Sequence, residues 1–140
     1  MIEIATASAT STAPPSAFYA RWIDHQTWPQ WDTDTEWVHL DEPVTPGAHG
    51  VLKPRGGPKT RFTIAVLNPD KEYTDVSSMP GATLRFQHLA AVSGELTELT
   101  AQVTLTGPLA RLWAMILGKD FAESVPASLN RLIELVEANV

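Results

Sequence analysis

The strongest constraint on the fold is a change of hydrophobic period at Gly107-Pro108. After this pair, apolar residues recur at steps of three, one and four, the spacing of one helical face. They stand at positions 109, 112, 113, 116, 117, 121, 125, 129, 132, 133 and 136. Pro126 lies inside this pattern, where proline removes a backbone donor and crowds the preceding turn. The sequence therefore predicts a long C-terminal helix with a kink at Pro126, or a break between Gly118 and Val125.

Upstream of this boundary, apolar and polar residues alternate, as they do in strands with one buried face. We predict six antiparallel strands there, at about residues 36–41, 49–53, 61–67, 73–78, 84–88 and 98–105. A first strand is predicted at residues 2–10, a short helix at about 14–23, and a second short helix or a turn at 24–34. This order predicts an α+β fold with hairpin connections rather than repeated βαβ units.

Length and composition narrow the class of protein. The 140 residues fit one domain, 1–140, and a hydrophobic fraction of 44% is enough for a core. The net charge of -6 argues against nucleic acid or an anionic membrane as the main partner. The absence of cysteine excludes disulfides, thiolate metal sites and a cysteine nucleophile. With no long apolar run and no basic, apolar leader, we expect a cytoplasmic protein, monomeric or homodimeric, without stable membrane insertion.

The order of elements also predicts a hollow inside the fold. A helix is about 10–12 Å across, whereas seven strands spaced about 4.8 Å apart span nearly three times that width. One helix cannot fill the concave side of such a curved sheet, and a concave apolar pocket is typical of small-molecule sites. The bulky residues expected to face inward are Phe62, Ile64, Leu84, Phe86, Leu99, Val103, Leu112, Trp113, Ile116, Leu117 and Phe121. Close packing of these side chains is the alternative.

His88 is the main candidate for chemistry, because alternation places it on the inward face with Leu84 and Phe86. An imidazole there could orient a ligand carbonyl or hydroxyl, or act as a general base near neutral pH. The alternatives are a hydrogen-bonded core histidine, or a histidine at a strand end with its ring in water. Tyr73 is a second polar candidate, although the register of its strand is poorly defined by the sequence. His25, beside Asp24, is predicted at a surface helix end.

The remaining polar and aromatic groups favour structural roles. The four histidines lack the spacing of metal ligands, so no metal or other cofactor is predicted. Pro58 deletes an N–H that a phosphate-binding loop would need, so the basic residues nearby are predicted to form a solvated hairpin tip: Lys53, Arg55, Lys59 and Arg61. Four closely spaced tryptophans are predicted to anchor the short helices on the sheet: Trp22, Trp28, Trp31 and Trp37.

An ordered set of short patterns covers nearly the whole chain: Trp28-Pro29-x-Trp31-Asp32, Pro46-Gly47-x-x-Gly50, Asn68-Pro69, Pro80-Gly81, Phe86-x-His88, Gly107-Pro108-Leu109 and Pro126-x-x-Leu129-x-x-Leu132. In this the chain resembles the bacterial polyketide cyclase/dehydrase-like branch of the START-like, or SRPBCC, superfamily. The resemblance implies the helix-grip fold: a curved seven-stranded antiparallel sheet around a long C-terminal helix, with two short helices after the first strand. That branch often has a histidine at the position of His88. The superfamily includes lipid carriers, cyclases, oxygenase domains, hormone receptors and chaperone co-activators, so fold alone does not give the activity.

These observations favour binding of a small, largely hydrophobic molecule, lipid-like or polyketide-like, between the sheet and the C-terminal helix. The predicted ligand-binding residues are Phe62, Ile64, Tyr73, Phe86, His88, Leu99, Val103, Trp113, Leu117 and Phe121. One alternative is a metal-free cyclase or dehydratase acting in the same cavity, with His88 as the candidate catalytic residue. Another is a protein-interaction module of the chaperone co-activator kind, which would have a filled interior and an exposed apolar patch.

Overall fold

The computed structural model describes residues 1–139, which form a seven-stranded sheet and three helical segments. The strands are β1 (Ile2–Ser11), β2 (Thr35–Leu40), β3 (His49–Pro54), β4 (Thr60–Asn68), β5 (Glu72–Met79), β6 (Ala82–Ser93) and β7 (Leu96–Thr106). The helical segments are α1 (Pro15–Trp22), a 3₁₀ helix (His25–Gln30) and α2 (Ala110–Ala138). The predicted α+β class and the predicted order of elements are confirmed.

The sheet is antiparallel throughout, in the order β1-β7-β6-β5-β4-β3-β2. Strands β2 to β7 are joined as consecutive hairpins, whereas β1 crosses to pair with β7, with Ile2 opposite Leu105. Alternation gives the sheet an inner face towards α2 and an outer face on the opposite side. On β4, for example, Phe62 is buried on the inner face while its neighbour Arg61 is exposed.

Helix α2 is continuous through Pro126, so the predicted break does not occur. Val125 and Leu129, on either side of the proline, are both buried, and these contacts hold the helix together despite the missing backbone donor. The helix packs mainly against β1, with further contacts to β7. Within residues 1–139, neither α-helix combines the length and apolar character needed to cross a membrane.

Aromatic side chains of α1 and the 3₁₀ helix fill much of the space under the sheet. Those buried in the main core are Phe18, Trp22, Trp28 and Trp31. The hollow expected from the width of the sheet is therefore occupied in part by the chain itself, because these rings reach inward instead of closing only an edge. Trp37 differs from the prediction: it lies on the outer face of β2 and is 38% exposed.

Gly50 in β3 allows a close approach of this core to the strand. A Cβ atom at this position would lie 2.5 Å from Cζ of Phe62 and 2.8 Å from the backbone oxygen of His39. Both distances are shorter than van der Waals contact, so the ring of Phe62 requires a glycine beneath it.

Candidate functional site

Four titratable side chains meet inside the apolar core and form what we call the buried polar cluster: His25, Tyr73, Asp75 and His88. Tyr73 and Asp75 share the inner face of β5, and Tyr73 lies opposite His88 of β6 in the antiparallel register. His25 reaches the same region from the 3₁₀ helix. Each of the four is at most 9% exposed. Buried polar groups at this density are costly unless they are paired, which makes the cluster the main candidate site.

His25 is buried, so its predicted position at the surface was wrong. Its Nε2 lies 2.7 Å from the hydroxyl oxygen of Tyr73, a buried hydrogen bond. A 3₁₀ helix has about three residues per turn, so His25 and Trp28 project from the same side. Their rings stack with centroids 4.8 Å apart. That three-residue spacing is the signal in the sequence that could have placed His25 inside.

Burial keeps both histidines of the cluster neutral. It lowers the pKa of His25 to about 4, an effect that a hydrogen bond to the backbone of Ile23 and the charge of Asp24 only partly offset. Burial alone lowers the pKa of His88 to about 3. At neutral pH each ring therefore offers one N–H donor and one nitrogen acceptor. His88 is suited to hydrogen bonding rather than to carrying a proton.

Asp75 has the opposite property, because burial disfavours its charged form. Burial raises the pKa of this carboxyl to about 7, with a further upward contribution from the charge of Asp32, and a hydrogen bond to Tyr73 works in the other direction. The pKa of Tyr73 is raised well above its usual value, first by burial and then by Asp75. Asp75 is thus the group that can hold or release a proton near neutral pH. Sequence reasoning missed it, although its two-residue spacing from Tyr73 puts both on one face.

Two buried indole groups beside His88 lack hydrogen-bond partners. In the part of the chain that the structure describes, Nε1 of Trp22 and Nε1 of Trp31 are the buried side-chain nitrogens without an acceptor. Both rings contact His88, with centroid distances of 5.5 Å for Trp22 and 6.0 Å for Trp31. Trp28, by contrast, donates its Nε1–H to the backbone oxygen of Trp22 over 3.0 Å. The two indoles that contact His88 therefore each have a donor available for an oxygen or nitrogen acceptor.

The residues predicted to bind a ligand do not form one lining. Four belong to the main core: Phe62, Ile64, Tyr73 and Leu99. Three others pack together nearer the middle of α2: Phe86, Val103 and Phe121. Trp113 lies in a separate cluster at one end of the sheet, where its Nε1 donates to the backbone oxygen of Pro80 over 2.8 Å. Leu117 is half-buried on α2, and His88 belongs to the buried polar cluster.

Phe86 connects the buried polar cluster to the protein surface. Its ring stacks on His88, with centroids 4.6 Å apart and an interplanar angle of 13°. On its other side it meets Phe121 of α2 edge to face at 6.5 Å. Both phenylalanines are half-buried, unlike the tryptophans around His88. The interior therefore meets solvent between β6 and the middle of α2.

An exposed apolar row begins at the residue before α2 and continues along the N-terminal half of this helix: Leu109, Leu112, Met115 and Ile116, each between 42% and 83% exposed. The prediction that Leu112 and Ile116 face inward was wrong. Apolar residues in this half cover more than one side of the helix, and the sheet is contacted through Ala110 and Trp113 instead.

Among the surface depressions of the described residues, two lie away from the interface between the sheet and α2. The larger, of about 480 Å³, is on the outer face of β2, β3 and β4. The other, of about 250 Å³, lies beside the β6–β7 turn and the start of α1. The cavity between sheet and helix thus stays a prediction. Within residues 1–139, no cluster of three His, Asp or Glu side chains has the arrangement of a metal site.

Several solved structures resemble the structure of this chain. No family model and no curated protein sequence matches it. The di-domain ARO/CYC StfQ from the steffimycin biosynthetic pathway matches 99% of this chain with a TM-score of 0.78 and 13% identity, over 52% of its own length. Ara h 8.0201 matches with a TM-score of 0.70 and 12% identity, covering 96% of this chain and 97% of its own. TTHA0849 from Thermus thermophilus matches with a TM-score of 0.71 and 19% identity, covering 96% of this chain and 97% of its own length. These likenesses confirm the helix-grip fold, and at such low identity they show the fold alone.

Proposed function

We propose that this helix-grip domain binds a small, largely apolar molecule of lipid or polyketide type between its sheet and α2. A hydrogen-bond acceptor of the ligand would lie at His88 and accept from the indole N–H groups of Trp22 and Trp31. The observation that carries the proposal is this pair of buried donors without partners. Each unpaired buried donor costs about 1–3 kcal/mol, which a ligand oxygen would recover on binding.

The path to this position runs between Phe86 and Phe121. Phe86 covers the ring of His88, and Phe121 of α2 meets Phe86 edge to face. Rotation of these two half-buried rings would expose His88 and leave the fully buried Leu99, which belongs to the main core, in place. Apolar ligand surface would then replace the ring contacts, and its burial contributes roughly 25 cal/mol per Å² before ordering costs.

Binding can be tested with cis-parinaric acid, a polyunsaturated fatty acid that quenches tryptophan fluorescence. We expect saturable quenching in the wild type and binding weakened roughly tenfold in Trp31→Phe, which keeps a ring but removes one donor. Met115→Ser in the exposed apolar row of α2 is the control and should bind as the wild type does. Loss of binding in Met115→Ser with no change in Trp31→Phe would move the ligand to the helix surface and refute the proposal.

An enzyme of the cyclase or dehydratase type is the second candidate, and the pKa of about 7 at Asp75 favours it. A carboxyl that is part protonated at neutral pH can serve as general acid or base, whereas His88 is too weakly basic. StfQ, which shares the fold, is an ARO/CYC protein of a biosynthetic pathway. The test is the rate at which a triketide thioester cyclises with and without the protein. Acceleration that is lost in Asp75→Asn, with parinaric acid still bound, would support catalysis, and no acceleration would leave binding alone.

A further inference from the structure

The depression of about 480 Å³ lies on the outer face of the sheet, on the side opposite α2. We call it the outer-face depression, and it is lined by Trp37, His39, Val51, Lys59 and Arg61. The strand register builds it. Val51, in the middle strand β3, lies opposite His39 of the edge strand β2 and opposite Arg61 of β4. Side chains two residues apart on an extended chain point to the same face, so Trp37 lies beside His39 and Lys59 lies beside Arg61. The result is an apolar floor between an aromatic wall and a cationic wall.

The cationic wall carries charge that the rest of the chain does not neutralise. Two of the four basic residues near this hairpin have partners: Lys53 lies 3.2 Å from a carboxylate oxygen of Glu36, and Nε of Arg55 donates to the backbone oxygen of Thr33. No carboxylate among residues 1–139 pairs with Lys59 or Arg61. Two unpaired cations side by side are unusual in a chain with a net charge of -6, and an anion between them would be attracted by both.

The aromatic wall is formed by a tryptophan that the fold does not bury. Trp37 is 38% exposed, whereas Trp22, Trp28 and Trp31 are each at most 3% exposed. Nζ of Lys59 lies 5.7 Å from the centroid of the Trp37 ring, a cation–π contact that orients the lysine above the indole. Together with Val51, the indole offers a flat apolar surface directly beside the two cations.

We propose that the outer-face depression binds a planar aromatic anion, that is, an aromatic ring bearing a phosphate or carboxylate. The ligand ring takes the place of the Lys59 ammonium against Trp37 and lies beside Val51, and the anionic group is held by Arg61 and the displaced Lys59. An arginine suits this role because its planar guanidinium can donate two parallel hydrogen bonds to such a group. The volume of about 480 Å³ lies within the range of small-molecule sites. This site is independent of the proposed interior one, on the opposite side of the sheet.

The test uses 1-naphthyl phosphate, followed by two-dimensional ¹H–¹⁵N spectra of the full chain. We expect shifts in the indole N–H signal of Trp37 and in backbone signals of residues 37–39, 51 and 59–61. Arg61→Gln should weaken binding roughly tenfold or more, since a hydrogen bond to a charged group is lost. Added salt should weaken binding to the wild type as well, because the site is exposed.

Three comparisons make the result decisive. Lys119→Gln, which removes an exposed cation from α2, should leave the affinity unchanged, and both inorganic phosphate and 1-naphthol should bind more weakly than 1-naphthyl phosphate. Equal affinity for inorganic phosphate would overturn the aromatic part of the proposal. Shifts centred on residues 86 and 121, or an affinity insensitive to Arg61→Gln, would overturn the site itself. The interior proposal would be untouched by either failure.

Discussion

Replacing each of two equally buried tryptophans by phenylalanine should have unequal effects on stability. Trp28 and Trp31 are both 3% exposed, so the loss of ring volume and of apolar burial is similar in the two variants. The difference lies in hydrogen bonding. Trp28→Phe removes the donor to the backbone oxygen of Trp22, a carbonyl in the last turn of α1. Trp31→Phe removes a donor that has no partner.

The magnitude follows from these two contributions. Leaving the oxygen of Trp22 without its donor costs about 1–3 kcal/mol, and removing the unpaired N–H of Trp31 recovers a similar amount. Trp28→Phe should therefore be less stable than Trp31→Phe by at least about 2 kcal/mol. Urea denaturation of protein stripped of bound small molecules measures the difference, provided that the m-values agree. Equal losses, or a larger loss in Trp31→Phe, would show that the indole N–H of Trp31 is paired in solution and would remove the basis of the interior site.

Three further predictions concern the backbone, the carboxyl group and the helix. Gly50→Ala should lower the stability of the fold by about 1–3 kcal/mol, because the new Cβ would collide with Phe62. In Gly118→Ala the new Cβ meets nothing within 4 Å, and this variant should be more stable than the wild type by up to about 1 kcal/mol. Thermal unfolding measures both changes, and equal effects would contradict the packing around Gly50. Since burial raises the pKa of Asp75 from 3.8 to about 7, lowering the pH from 7 to 5 protonates the folded state before the unfolded one. This decrease in pH should therefore stabilise the wild type by roughly 2 kcal/mol, a gain that Asp75→Asn lacks. The free energy of unfolding in urea, measured against pH for both proteins, tests this, and parallel profiles would refute the raised pKa. The amide hydrogens between Gly118 and Pro126 should exchange faster than those of the central strands if ligands pass there, and equal protection would argue against this route.

The fold could be predicted because its signals are local. The spacing of apolar residues changes from every second residue to a helical spacing at Gly107-Pro108, and this change separates the sheet from α2. Alternation alone places Phe86 and His88 on the inner face of β6. The same alternation puts Arg61 outside and Phe62 inside. These signals need no knowledge of distant contacts, which is why the order of elements and the hairpin connections followed from the sequence.

The candidate site was harder to predict, because its members meet through tertiary contacts. The spacing of His25 and Trp28 indicates one side of the 3₁₀ helix, but the contact of His25 with Tyr73 forms only when that helix packs against β5. Asp75 reads as a surface residue until the register of β5 is known. The outward position of Leu112 reflects how little of the N-terminal half of α2 the sheet can cover. In each case a distant neighbour outweighs the preference of the residue itself.

The pairing of β1 with β7 has a consequence for synthesis of the chain. Ile2 meets Leu105 in the finished sheet, so β1 has no hydrogen-bonding neighbour after it leaves the ribosome until roughly a hundred more residues have been translated. Closing so long a loop is entropically expensive and slows folding. During that interval β1 is an unprotected edge, open to pairing with other nascent chains. Its many threonines and serines, in place of larger apolar side chains, would limit such aggregation while the partner strand is being made.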